Sequence, residues 1–205
     1  LLQTILYFGL LTAVIFKFKG DWRAVILTLT TYIALDTVIE FNVDWVILVG
    51  LLVPVEFSAP FLILKPHITP GFYFGVPPRR WLKIGLVLLV TFAISLILWQ
   101  GWIAHYLAAP PMQIIDDGFN LAPSYLLPRL ISYLIGIGLA FMAYRRQDPP
   151  LGIVAWFFFT PYIKFYSLLL LFSIIAIRFP RVALIMTLAM WAAYGSVLLP
   201  VLLHT

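Results

Sequence analysis

The chain has no cysteine, and Asp, Glu, Lys and Arg together make up only 10% of its 205 residues. Without cysteine, neither a disulfide framework nor a thiolate metal site can form. The three histidines, His67, His105 and His204, are scattered and make no H-x-x-x-H or H-E-x-x-H arrangement, which leaves a histidine metal site without support. Walker A, G-x-G-x-x-G and G-x-S-x-G patterns are also missing, so nucleotide hydrolysis and serine hydrolysis have no motif behind them. No cofactor is expected.

What is abundant is oil. Hydrophobic residues make up 63% of the chain and the mean hydropathy is +1.06, which points to lipid as the solvent. Lipid cannot satisfy backbone N–H and C=O groups, so spanning segments must be helices or a closed barrel, and the apolar runs lack barrel-type alternation. The expected fold is therefore all-α, a polytopic transmembrane bundle forming a single domain over 1–205. Apolar blocks occupy 1–16, 24–39, 45–64, 84–104, 128–144, 151–177 and 182–203. Measured against the roughly 20 residues a span requires, they read as about six full spans plus one proline-broken helical hairpin. The hairpin is 151–177, which carries Thr160, Pro161, Tyr162 and Lys164 in its middle. The first block is short for a span and opens without methionine, so the chain is read as a fragment cut inside a span or as a processed protein.

Basic residues set orientation. Alternating the loops places Lys17, Lys19, Arg23, Lys65, Arg79, Arg80, Lys83, Arg145, Arg146, Arg178 and Arg181 on one, cytoplasmic, side. The opposite side and the spans hold Asp36, Glu40, Asp44, Glu56, Asp116 and Asp117. Dispersed this way, the net charge of +5 reads as topology control, and no nucleic-acid partner is expected. Trp22, Trp45, Trp81, Trp99 and Trp102 fall near span ends and read as interfacial anchors. Two connections are more than turns: 105–127, rich in proline and carrying Asp116 and Asp117, could cover a site, and 66–78 suits an irregular interfacial stretch.

Among candidate functional residues, Glu56 stands in the third block between Pro54 and Pro60, where an ionised side chain is costly and marks either function or a structural ion pair. Its expected partner is Lys164, the basic residue at the hairpin turn. Asp116 and Asp117 could hold a cation or act as a base, although adjacent side chains diverge and a solvated loop explains them more simply. Glu40, Asn42 and Asp44 read mainly as polar helix ends, with Asp44 placed to cap the helix that begins at Trp45.

A resemblance adds to this reading. The runs N-V-D-W-V-I-L-V-G-L-L from Asn42, L-I-L-K-P-H ending at His67 and R-R-W-L-K ending at Lys83 resemble the GT-C superfamily of membrane glycosyltransferases. The nearest type is the α-mannosyltransferase-like family that uses polyprenyl-phosphate sugars. Asn42, Asp44, Gly50, Lys65, Pro66 and His67 match its pattern, with His67 standing where glutamine is common. T-P-Y-I-K-F-Y-S, from Thr160 to Ser167, resembles its proline-aromatic helix break. The resemblance implies glycosyl transfer from a lipid-phosphate donor at the non-cytoplasmic face of a prokaryotic plasma membrane. It makes Lys65 and His67 candidate substrate contacts, with Arg129 and Lys164 as candidate phosphate contacts. It identifies no catalytic acid, because the family carries that residue in a loop near its amino terminus that has no counterpart here, and so implies that the chain is a carboxyl-terminal fragment of an enzyme or an inactive relative. Two alternatives stay open: a transporter or channel with a midplane site around Glu56, and a non-catalytic subunit of a larger membrane complex.

Overall fold

The computed structural model describes residues 2–39, 44–108 and 120–203. All regular structure among these is helical. The helices are α1 (Leu2–Lys17), α2 (Trp22–Leu29), α3 (Tyr32–Ile39), α4 (Trp45–Leu52), α5 (Ala59–Leu62), α6 (Trp81–Leu98), α7 (Trp102–Ala108), α8 (Pro123–Leu126), α9 (Arg129–Arg146), α10 (Pro149–Phe157), α11 (Leu168–Arg178) and α12 (Pro180–Leu203). Short 3-10 turns intervene at Val55–Phe57, Pro70–Gly75, Pro78–Arg80 and Phe165–Ser167.

About six full spans are not found. Among the described residues one helix, Pro78–Leu98, is long and apolar enough to cross a membrane. A second would be counted only if α2 and α3, bent by 60° at Thr30 and Thr31, were taken as one broken span. The physical reason is that an apolar run in sequence is not a continuous helix. α2, α3 and α4 are 8 residues each, which rise about 12 Å, well short of the roughly 30 Å of hydrocarbon.

The block 45–64 shows how the breaks redirect the chain. α1 and α4 lie side by side and run the same way: Tyr7 and Asp44 line one small cavity near their starts, and Lys17 Nζ donates to the carbonyls of Leu52 and Val53 at their ends (3.0 and 3.2 Å). Pro54 has no N–H to continue the ladder. The backbone turns through Val55–Phe57, Ser58 and α5, and returns far enough for Lys65 to pair with Asp44. The block is thus a fold-back, and Lys65 and Asp44, expected on opposite sides, share one end. α10 and α11 make a second fold-back, with Asp148 before α10 and Arg178 at the end of α11 joined at 2.6 Å.

These two fold-backs and α1 form the interior. Leu11, Ile15, Leu48, Leu51, Leu62, Ile153, Phe157, Leu169 and Phe172 are at most 1% exposed and belong to one contiguous cluster. Gly71 and Gly152 make the closest approach, since a Cβ on either would meet the other's carbonyl. Outside stand α6, α9 and the amino-terminal part of α12. Only 6% of the apolar window in Pro78–Leu98 is buried, and Leu89 on α6, Leu134 on α9 and Ile185 on α12 are among the exposed side chains.

Candidate functional site

The site is built where helices stop. A broken helix leaves carbonyls and amides without ladder partners, and inside an apolar body each such group is costly unless a side chain answers it. The sequence supplies those side chains from other segments. At 158–167, Phe158 O accepts from Ser132 Oγ (2.8 Å), Thr160 O from Ser124 Oγ, and Pro161 O from Asn120 Nδ2 (2.8 Å), while Asn120 Oδ1 accepts the Ile163 amide (3.1 Å). At 63–69, Trp156 Nε1 donates to Pro66 O (2.8 Å), Thr160 Oγ1 to His67 O (3.2 Å) and Thr69 Oγ1 to Leu62 O (2.6 Å). The stretches carrying Lys65 and His67 and those carrying Lys164 and Tyr166 are thereby fastened to each other.

At their junction is a charged cluster. Asp44, 6% exposed at the start of α4, pairs with Lys65, and the ammonium of Lys65 lies 5.3 Å from the centre of the Tyr166 ring, a cation–π distance. His67 is half-buried beside the pair. It lies in the loop after α5, outside the span, and its imidazole is held below its ordinary value, first by burial, then by the Lys65 charge, with Asp44 pulling the other way. His67 is thus a neutral donor–acceptor next to a fixed cation. A cavity of about 10 Å³ among Tyr7, Asp44, Ile68 and Ser167 has the volume of a single water, and Ser167 Oγ, buried there, has no protein partner.

Asp44 was expected to cap α4, but its side chain makes no cap hydrogen bond and its backbone is already helical (φ −62°, ψ −13°). Its carboxylate faces Lys65 instead. Glu56 pairs with Arg80 at 3.3 Å, with their side chains 23% and 45% exposed, and not with Lys164. Glu56 is half-buried in the 3-10 turn after α4, with Arg80 as its partner. Lys164 precedes the 3-10 turn Phe165–Ser167, in the same irregular stretch as Tyr166. Arg129 is exposed as the first residue of α9. Asp116 and Asp117, like Glu40 and Asn42, lie outside the described residues.

Of the sequence candidates, the structure gathers Lys65 and His67, and adds Asp44, Tyr166, Tyr7 and Ser167. Tyr166 and Ser167 stood within the quoted T-P-Y-I-K-F-Y-S run, so that signal was present; Tyr7, inside an apolar helix, gave none. Among the described residues no group of three or more His, Asp or Glu is arranged to hold a metal ion. No family model matches the chain, and neither a curated protein nor a solved structure matches it.

Proposed function

We propose that the chain is an integral membrane protein that binds the phosphate of a polyprenyl-phosphate sugar at the Lys65–His67 cluster, within glycosyl transfer from that donor. The observation carrying this reading is that Asp44, Lys65 and His67, all three part of the run that resembles GT-C enzymes, meet in one half-buried polar cluster. A cation and a neutral imidazole suit a phosphate, which accepts charge-assisted hydrogen bonds. Asp44 would hold the ammonium in place until phosphate competes for it, and the Tyr166 ring restricts where that ammonium can go. The wide exposed apolar faces of α6, α9 and α12 support lipid surroundings, because exposed patches of that extent mark membrane or partner contacts.

The test is retention of a polyprenyl phosphate by the purified chain, set against the parent polyprenol. Lys65→Met should weaken phosphate binding by about tenfold or more, since a hydrogen bond to a charged group is worth roughly 1.5–3 kcal/mol. Lys65→Arg should keep most of it. Equal affinity for polyprenol and polyprenyl phosphate, or a folded Lys65→Met protein that binds as before, would rule the reading out.

A further inference from the structure

Three cations at the basic end of the molecule are used internally. Lys17 is committed to the Leu52 and Val53 carbonyls, Arg80 to Glu56 and Arg178 to Asp148. Arg23 and Arg181 are set apart by sharing one groove. Neither has a carboxylate partner among the described residues, and Asp21, the acid nearest Arg23 in sequence, is engaged in capping α2 through the Ala24 amide (3.0 Å). Both arginines line one groove of about 390 Å³ between α2 and α12, together with Ile26, Leu27, Pro180 and Leu184.

The spacing gives the groove a direction. Arg23 and Arg181 each stand in the first turn of their helix, and Ile26, Leu27 and Leu184 follow three or four residues later, on the same faces one turn further in. Two guanidiniums therefore sit at the mouth and an exposed apolar floor leads away from them, Ile26 and Leu184 being 59% and 48% exposed.

We propose that this groove binds one anionic diacyl phospholipid, its phosphate between Arg23 and Arg181 and an acyl chain along Ile26, Leu27 and Leu184. Guanidinium is the side chain best matched to phosphate, through paired N–H donors. The apolar floor selects a lipid over free phosphate, which would leave that floor uncovered. The inference rests on the membrane reading above and is independent of the Lys65 cluster.

The experiment reconstitutes the full chain into phosphatidylcholine vesicles, with and without phosphatidylglycerol, and measures co-flotation and then the lipid retained after detergent washing. The wild-type chain should float with both vesicle types and retain phosphatidylglycerol over its bulk share by a factor on the order of 10. Arg23→Gln with Arg181→Gln should float equally and lose that enrichment, whereas Arg145→Gln with Arg146→Gln should keep it. Leu184→Trp, which fills the floor and leaves both arginines, should also lose it, so the result does not hang on one folded variant. Equal loss in the Arg145 and Arg146 control would show diffuse surface charge and overturn the site. Displacement of the lipid by inorganic phosphate would overturn the choice of ligand. Failure to float even with phosphatidylcholine would refute membrane residence and this inference with it, whereas flotation without enrichment refutes the groove alone.

Discussion

α10 and α9 pack side by side and follow opposite rules. α10 is nine residues long, buries Pro150, Gly152, Ile153, Ala155 and Phe157, and gives way to irregular backbone whose carbonyls are answered by Ser132, Ser124 and Asn120. α9 is eighteen residues long, buries only Ser132, Gly136 and Ala143, and turns Leu130, Leu134, Ile137 and Phe141 outward without a break. The contrast teaches where a helix can afford to stop. Inside, neighbouring side chains replace the missing ladder bonds; if the apolar exterior faces lipid, as proposed, nothing there would, and the outer helix has to satisfy itself. The same division separates the fold-back of α4 and α5 from the unbroken α6.

If that division is correct, the interior should be sensitive and the exterior tolerant. The largest effect belongs to Lys65→Met, which strands the Asp44 carboxylate and should cost about 3–5 kcal/mol of stability in thermal unfolding. Adding Asp44→Asn should recover much of that loss, and strictly additive effects would show that the two do not act as a pair. Next is Gly152→Ala, whose new methyl meets the Gly71 carbonyl and should cost about 1–3 kcal/mol by overpacking. Ser132→Ala leaves Phe158 O without its side-chain donor and should cost roughly 1 kcal/mol or a little more. Smallest is Leu134→Ala on the outer face of α9, at about 0.5 kcal/mol or less in a lipid-like solvent. If Leu134→Ala proved as damaging as Gly152→Ala, the distinction between the two zones would collapse.

Part of this was legible beforehand. Helical structure follows from long apolar runs that could not be strands, and Pro161 marks the place where residues 151–177 stop being one helix. The number of spans was not legible, because hydropathy counts residues and not hydrogen bonds: Thr30 and Thr31 read as ordinary members of an apolar block, yet the helix bends there and Trp191 donates to Thr30 O from 161 residues away. The site was half visible. Lys65 and His67 carried a local pattern, but counting Lys65 as a cytoplasmic marker hid its pairing with Asp44, since the sidedness rule assumes a loop cation facing water. Glu56 misled for the converse reason. Its place in the middle of an apolar block made it look buried in lipid, and only the fold brings Arg80 to it.

The absence of cysteine makes the decisive measurement clean, because single cysteines can be placed at will. Nitroxide labels at positions 89, 134 and 185 on the outer helices, and at 48 and 170 in the interior, would be compared in reconstituted vesicles by their collisions with oxygen and with a water-soluble relaxant. The outer three should collide freely with lipid-dissolved oxygen and little with the aqueous relaxant, while the inner two should be shielded from both. Outer labels reached mainly by the aqueous relaxant, or inner labels as accessible to oxygen as the outer ones, would contradict a lipid-facing shell around a broken, side-chain-satisfied interior.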